Sequence, residues 1–421
     1  MKLKFQPLLF LLLTSCSFFI EKIDTPIVQN RDQFQPEPST PTYCPLEQKF
    51  NLQLVGSNAN SQATYMELLP SLGGAKLDFF DHFALWSLIQ LTIRPDQSSA
   101  TSRYQVLFNH EGKTFYFDFF SENPDEQYPY FYGLEWILKK FGKKQRLEHY
   151  VALLERHLGK KLKIGKSFET FLLKNQDAIK ANTELNAYYY RGSQILRENE
   201  TSPQLNYSSI LKEYRKAEKA QRIIVNTYLT PFVTAKGQNG SCNYDFNLYD
   251  NSIFLIDKVI PIANLFGLSQ PKSAFMASSS QKIDKFISLH NSPLFKGDSK
   301  VRSSAVCIIQ NEASKMWAFS NQSRDPGQHL FHLVRYGLPK SQSTAEVDRL
   351  IRHSRHLFLS DPVRLVIESN RSREDQIENL LKLNLPIYNA EKLGNIWAYT
   401  YFNQQSRFVI DDRNIGAYLC Q

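Results

Sequence analysis

Between Tyr104 and Trp136, twelve of 33 residues are Phe, Tyr or Trp. The runs 104–109 and 113–119 flank the turn signal His110-Glu111-Gly112, a pattern that predicts a β-hairpin. Side chains alternate faces along a strand, so Phe115, Phe117 and Phe119 share one face and Tyr116, Asp118 and Phe120 the other. One face must be core. The second face is either a platform for carbohydrate or lipid, or is covered by neighbouring helices.

The segments around this hairpin set the expected class. Apolar spacing predicts helices over 81–92, 130–141, 144–158, 167–181, 183–196 and 208–220. A loop is expected at 236–241. Beyond it, strands are expected at 244–249, 304–310, 315–320, 362–368, 396–402 and 407–410. Helices are expected at 326–337, 344–359 and 373–383. The fold class is therefore α+β (mixed), with a helix-rich region over 44–236 and a mixed α/β region over 237–421. The chain has 421 residues, 42% of them apolar, which is enough to build a core and excludes disorder as its main description. No repeat of 20 to 50 residues is present.

The first residues place the chain. Lys2 and Lys4 precede the apolar run 8–13 (LLFLLL), which is too short to span a membrane. Leu13-Thr14-Ser15-Cys16 follows and resembles the lipobox of bacterial lipoproteins. The resemblance implies a signal peptide over 1–15 and a lipidated first mature residue, Cys16, carrying three acyl chains such as palmitate. Ser17 after the Cys is similar to the pattern sent to the outer membrane in enteric-type bacteria. Residues 21–43 hold Pro26, Pro36, Pro38 and Pro41 among polar residues, so 16–43 reads as a tether that holds the body off the membrane.

With Cys16 acylated, Cys44, Cys242, Cys307 and Cys420 remain, an even number in an exported chain. Disulfides are expected among them, and three pairings are open. Cys307 also fits a buried thiol, because it sits in the apolar run 305–309. No two of these Cys have zinc-ligand spacing, so no metal is expected from them.

The net charge is +9, and loss of Lys2 and Lys4 leaves +9 − 2 = +7. Residues 139–166 hold ten Lys or Arg against Glu148 and Glu155, giving 10 − 2 = +8. The rest of the chain is nearly neutral. Lys139, Lys140, Lys143 and Lys144 open this stretch and are candidates to meet an anionic lipid or envelope polymer. A solvated helix face is the plainer reading. Nucleic acid is not an expected partner of an exported chain.

His329 and His332 are three residues apart, as are His353 and His356, so each pair would share a face on a helix. These four, with Glu368 and Asp411, are the candidate catalytic groups. They lack the H-E-x-x-H arrangement of zinc peptidases. Arg352, Arg355 and Arg371 lie among them as candidates to bind an anion, since the Arg fork suits carboxylate or phosphate. Structural ion pairs with Asp361, Glu368, Asp411 and Asp412 are the plainer reading. The rhythm from Val363 to Ile410 is similar to a half-domain of the phospholipase D superfamily, but Ala398-Tyr399-Thr400 stands where that family needs His-x-Lys. No G-x-S-x-G, phosphate-binding loop, dinucleotide fingerprint or C-x-x-C is present, and no cofactor is implied. The sequence leads to a lipid-anchored envelope protein of binding or structural role. The alternative is an envelope hydrolase using the polar cluster of the C-terminal half.

Overall fold

The computed structural model describes residues 52–56, 59–73, 77–122, 127–142, 145–159, 163–202, 207–233, 239–244, 262–270, 272–281, 304–310, 314–323, 325–360, 363–413 and 417–420. The strands are β1 (Gln53–Gly56), β2 (Arg103–His110), β3 (Lys113–Phe120), β4 (Tyr190–Arg191), β5 (Gln194–Ile195), β6 (Ile224–Asn226), β7 (Thr230–Val233), β8 (Asn239–Asn243) and β9 (Ile262–Gln270). They continue with β10 (Ser273–Gln281), β11 (Ser304–Gln310), β12 (Ser314–Asn321), β13 (His356–Ser360), β14 (Val363–Ile367), β15 (Ile387–Asn389), β16 (Asn395–Phe402), β17 (Gln405–Val409) and β18 (Ala417–Cys420).

Two antiparallel sheets dominate. One has the order β18-β1-β9-β10-β2-β3-β6 and the other β17-β16-β12-β11-β8-β7. Alternation along each strand sorts its side chains into two cores. Val106, Phe108, Phe117, Phe119, Phe266 and Phe275 of the first sheet pack under helices. The intervening Leu107, Tyr116, Leu265 and Met276 meet Val306, Trp317, Phe319, Trp397 and Phe408 of the second sheet. The far face of the second sheet, with Cys307, Met316 and Ala398, is covered by Leu330 and Leu333 of the helix Pro326–Tyr336 and Val347 and Ile351 of the helix Thr344–Arg352. The result is four layers, helix on sheet on sheet on helix. Both faces of the aromatic hairpin are therefore occupied. Tyr116 faces the second sheet, Asp118 is buried against Arg103 at 2.6 Å, and Arg103 also lies over the Phe120 ring.

The helix Phe79–Ile93 is buried on nearly all sides, as its uniform apolar sequence requires. Asp78 caps it, with Asp78 and Asp81 exchanging side-chain and backbone hydrogen bonds in a capping box.

Several expectations are corrected. The seven-stranded sheet interleaves strands from both expected regions, 44–236 and 237–421. The expected helix 167–181 breaks at Asn175, and 183–196 is a helix only to Tyr189, followed by a small β4–β5 hairpin turning at Gly192 (φ 64°). The expected helix 344–359 stops at Arg352, and His356 opens a strand instead. The expected loop 236–241 is in part strand, since β8 begins at Asn239; of the expected strand 244–249, Tyr244 lies just past β8 and 245–249 lies outside the described residues. Strands β1, β9 and β10 were not expected, since short apolar runs do not distinguish strand from helix. The phospholipase-like rhythm dissolves, because β14 belongs to a separate three-stranded sheet and β16 to the six-stranded one.

Candidate functional site

One end of the sandwich is polar inside. Ser304 opens β11 opposite Asn321, which closes β12 and lies opposite Asn395 at the start of β16. From the other sheet, Ser278 Oγ stands 2.5 Å from Ser304 Oγ and so bridges the two sheets. Ser279 Oγ meets Ser98 Oγ at 2.5 Å, and Asn264 Nδ2 donates to Ser98 Oγ at 3.1 Å and to Gln90 Oε1 at 3.2 Å. All of these side chains are buried. Buried hydroxyls and amides persist only when they satisfy one another, so this interior is a built polar network.

Just past β12, Ser323 enters the site. Its Oγ lies 2.7 Å from His329 Nε2, and both residues are buried. The helix Pro326–Tyr336 places His329 in its first turns, with Asp325 as cap accepting from Gln328 N at 3.2 Å. Gly394 (φ +60°) lets the chain pass close by. A Cβ there would stand 2.9 Å from Ser323 Cβ and 3.3 Å from His329 Cδ2. Burial, reinforced by the Arg355 guanidinium and nearby imidazoles, holds His329 well below the usual histidine value. It is neutral at pH 7 and able to accept a proton from Ser323. Among the described residues, His329 Nδ1 has no hydrogen-bond partner.

His329 also lines a cavity with His332, Tyr336, His353, Arg355 and His356. The four expected histidines thus come together, although through a helix, a helix cap and a strand rather than through two helices. The expected carboxylates lie behind the cavity, not in it. Glu368 accepts from Arg413 Nε and Nη2 at 2.6 Å each, from Arg355 N at 3.0 Å and from Leu393 N at 2.7 Å. Asp411 accepts from Ile396 N at 2.8 Å and pairs with Arg355 at 2.6 Å and Arg413 at 3.2 Å. Burial alone would raise Asp411, but Arg355 and Arg413 outweigh it and hold the carboxyl below its usual range. Both carboxylates are consumed by structure, which corrects their place among catalytic candidates.

The arginines are corrected similarly. Arg352 pairs with Asp348 at 3.0 Å, Arg355 with Asp411, and Arg371 with Asp412 at 2.9 Å, so each expected anion binder already holds a carboxylate. Lys139 and Lys140 are exposed. Lys139 lies 3.6 Å from Glu135, and Lys140 covers the Trp136 ring at 4.5 Å. Cys242 and Cys307 face each other across β8 and β11 and form a buried disulfide, not free thiols. Cys420 lies on β18. Cys16, Cys44, Lys143 and Lys144 lie outside the described residues. Among the described residues, no group of three or more His, Cys, Asp or Glu is arranged to hold a metal ion, and no helix is long and apolar enough to cross a membrane.

No family model and no curated protein matches the sequence. Solved structures do match. Cephalosporin acylase from Bacillus halodurans aligns with a TM-score of 0.60 at 9% identity, over 92% of this chain and 98% of that one. Two forms of LmbA2991 align with TM-scores of 0.63 and 0.62 at 8% identity, over 91% of this chain and 100% of theirs. The likeness is one of fold.

Of these groups only His329 was singled out in the sequence; Ser323, Ser304, Ser278, Ser279 and Ser98 were not. Their signal was weak: serine runs at 98–99 and 278–280, at the margins of apolar segments. Only the pairing of strands makes such runs converge.

Proposed function

We propose that this chain is a hydrolase of the cell envelope that cleaves an acyl bond, an amide or ester, with Ser323 as nucleophile and His329 as its base. The observation that carries the reading is the 2.7 Å contact between Ser323 Oγ and His329 Nε2 in a buried setting. The neutral imidazole takes the hydroxyl proton as Ser323 attacks the carbonyl carbon, and returns it to the leaving amine or alcohol. Water then releases the acyl group by the same proton relay. The acylase-like fold supports the reaction class.

The anchor belongs to this proposal as well. Lipidation at Cys16 would tether the enzyme to a membrane, with the outer membrane as the favoured address. The exposed Lys139, Lys140, Arg146, Arg156, Lys163 and Lys166 favour a second role, contact with an anionic surface. Lys139→Glu with Lys140→Glu would weaken binding to anionic liposomes if that role is real.

The test of the catalytic reading is covalent labelling by a fluorophosphonate probe, read by intact mass. The wild-type chain should gain one adduct and Ser323→Ala none. Retained labelling in Ser323→Ala, or labelling lost only in Ser304→Ala, would overturn the assignment of Ser323. Loss of lipid labelling in Cys16→Ser is the expected result for the anchor, and persistence would refute it.

A further inference from the structure

The histidine cavity has chemistry of its own. It is a small, partly open cleft, and among the described residues no carboxylate lines it. The His332 and His356 rings stack with centroids 4.0 Å apart and planes 30° from parallel. Neither ring makes a hydrogen bond within the described residues. Behind them, buried His329 spends Nε2 on Ser323 and has no partner for Nδ1 among the described residues. Unsatisfied imidazole nitrogens are thus concentrated in one place.

The described neighbours bring no free carboxylate to them. From the helix Pro326–Tyr336 come His329, His332, Leu333 and Tyr336, and from the end of the helix Thr344–Arg352 come Leu350 and, just past it, His353. His353 is satisfied on both sides, by Ser354 O at 3.0 Å and the Gln376 amide at 3.2 Å. β13 supplies His356, preceded by Arg355, and β16 only Ile396. Arg355 is spent on Asp411 and on the carbonyls of Ile351, Leu393 and Gly394. Glu368 and Asp411 are neutralised by Arg355 and Arg413.

Stacked imidazoles suit a metal ion poorly. Their lone pairs lie in the ring planes, so rings held face to face send them side by side and not to one point. Two N–H donors side by side match two oxygens of a single oxyanion.

We propose that the cavity is a site for a small oxyanion, a carboxylate or phosphate group, held by His332 and His356 in their protonated forms. The site does not depend on the role of Ser323. Burial and the neighbouring His356 already hold His332 down to about 4. Burial, with the neighbouring His353, also holds His356 below its usual value, so at neutral pH the stack is uncharged and protons must enter together with the anion.

Titration calorimetry on the full mature chain tests this, with acetate and with inorganic phosphate as separate ligands. Affinity for at least one should be about tenfold higher at about pH 5 than at about pH 7.5, with proton uptake seen as a dependence on buffer ionisation heat. Binding of acetate assigns a carboxylate ligand, and binding of phosphate alone a phosphate-bearing one. His332→Phe and His356→Phe keep an aromatic stack and should each lose the pH-dependent binding. Independently of these variants, the imidazole proton resonances of the wild-type chain should shift on adding the anion. No binding of either anion at the lower pH, pH-independent affinity, or binding unchanged in both variants would overturn the proposal.

Discussion

Replacing Arg413 by Met probes the ion network behind the histidine cavity. The Arg413 side chain is fully buried, with the Glu368 carboxylate at 2.6 Å and Asp411 at 3.2 Å. It also donates to Ile351 O at 3.1 Å and His353 O at 2.7 Å. Burial alone would lower its basicity, but the two carboxylates outweigh that and hold the guanidinium above its usual value. Arg355, by contrast, is brought down to about 10 by burial and by the charge of Arg413, despite its own carboxylates. Arg413→Met leaves two buried carboxylates against one guanidinium. Removing one partner of a buried pair costs about 3–5 kcal/mol, mostly the penalty of the charge left behind. Water cannot easily repay it, because Glu368 and Asp411 are themselves fully buried. The assay is urea unfolding followed by tryptophan fluorescence, since Trp317 and Trp397 lie between the sheets. The double variant Glu368→Gln/Arg413→Met removes one orphaned charge and should be less destabilised than the sum of the single changes. A loss below about 1 kcal/mol for Arg413→Met, or strict additivity in the double variant, would refute the reasoning.

Reduction of the Cys242–Cys307 bond, or Cys242→Ala with Cys307→Ala, should destabilise the fold. The two residues are 65 apart in sequence, and a loop of that length corresponds to about 4 kcal/mol of chain entropy. A melting temperature unchanged by dithiothreitol would contradict this. Acid should also destabilise the chain through its buried histidines. His332 titrates near about 4 when folded and about 6.5 when unfolded, so the unfolded state binds the proton more readily. Stability is then full above about pH 6.5 and falls as the pH drops towards about 4, with His82, held at about 4 by burial, adding to the same window. Melting curves in oxyanion-free buffers check this, and His332→Phe should flatten the slope. An unchanged slope would show that the ring is protonated at no cost to the fold.

The sequence by itself determined the local elements. The aromatic hairpin, the helices following Asp78 and Asp325, and the strands at 304–310 and 315–320 are written in alternation, caps and turn residues, which act over a few positions. The four histidines of the cavity were also legible as a group, because their residue type is rare and their spacing regular. Tertiary structure decided which of their neighbours remain available. Arg355 and Asp411 look equally reactive in the chain, but a 2.6 Å pairing in a buried setting removes both from solution chemistry. It also decided that β1 and β18, from opposite ends of the chain, lie side by side in one sheet. That contact rests on partners more than 350 residues apart, and no local pattern encodes it. Ser323 and Ser304 are the sharpest case. A serine is unremarkable until packing removes water from around it and places another polar atom within hydrogen-bond reach; for Ser304 that depends on the closing of two sheets over one another, and for Ser323 on the turn from β12 into the helix that carries His329.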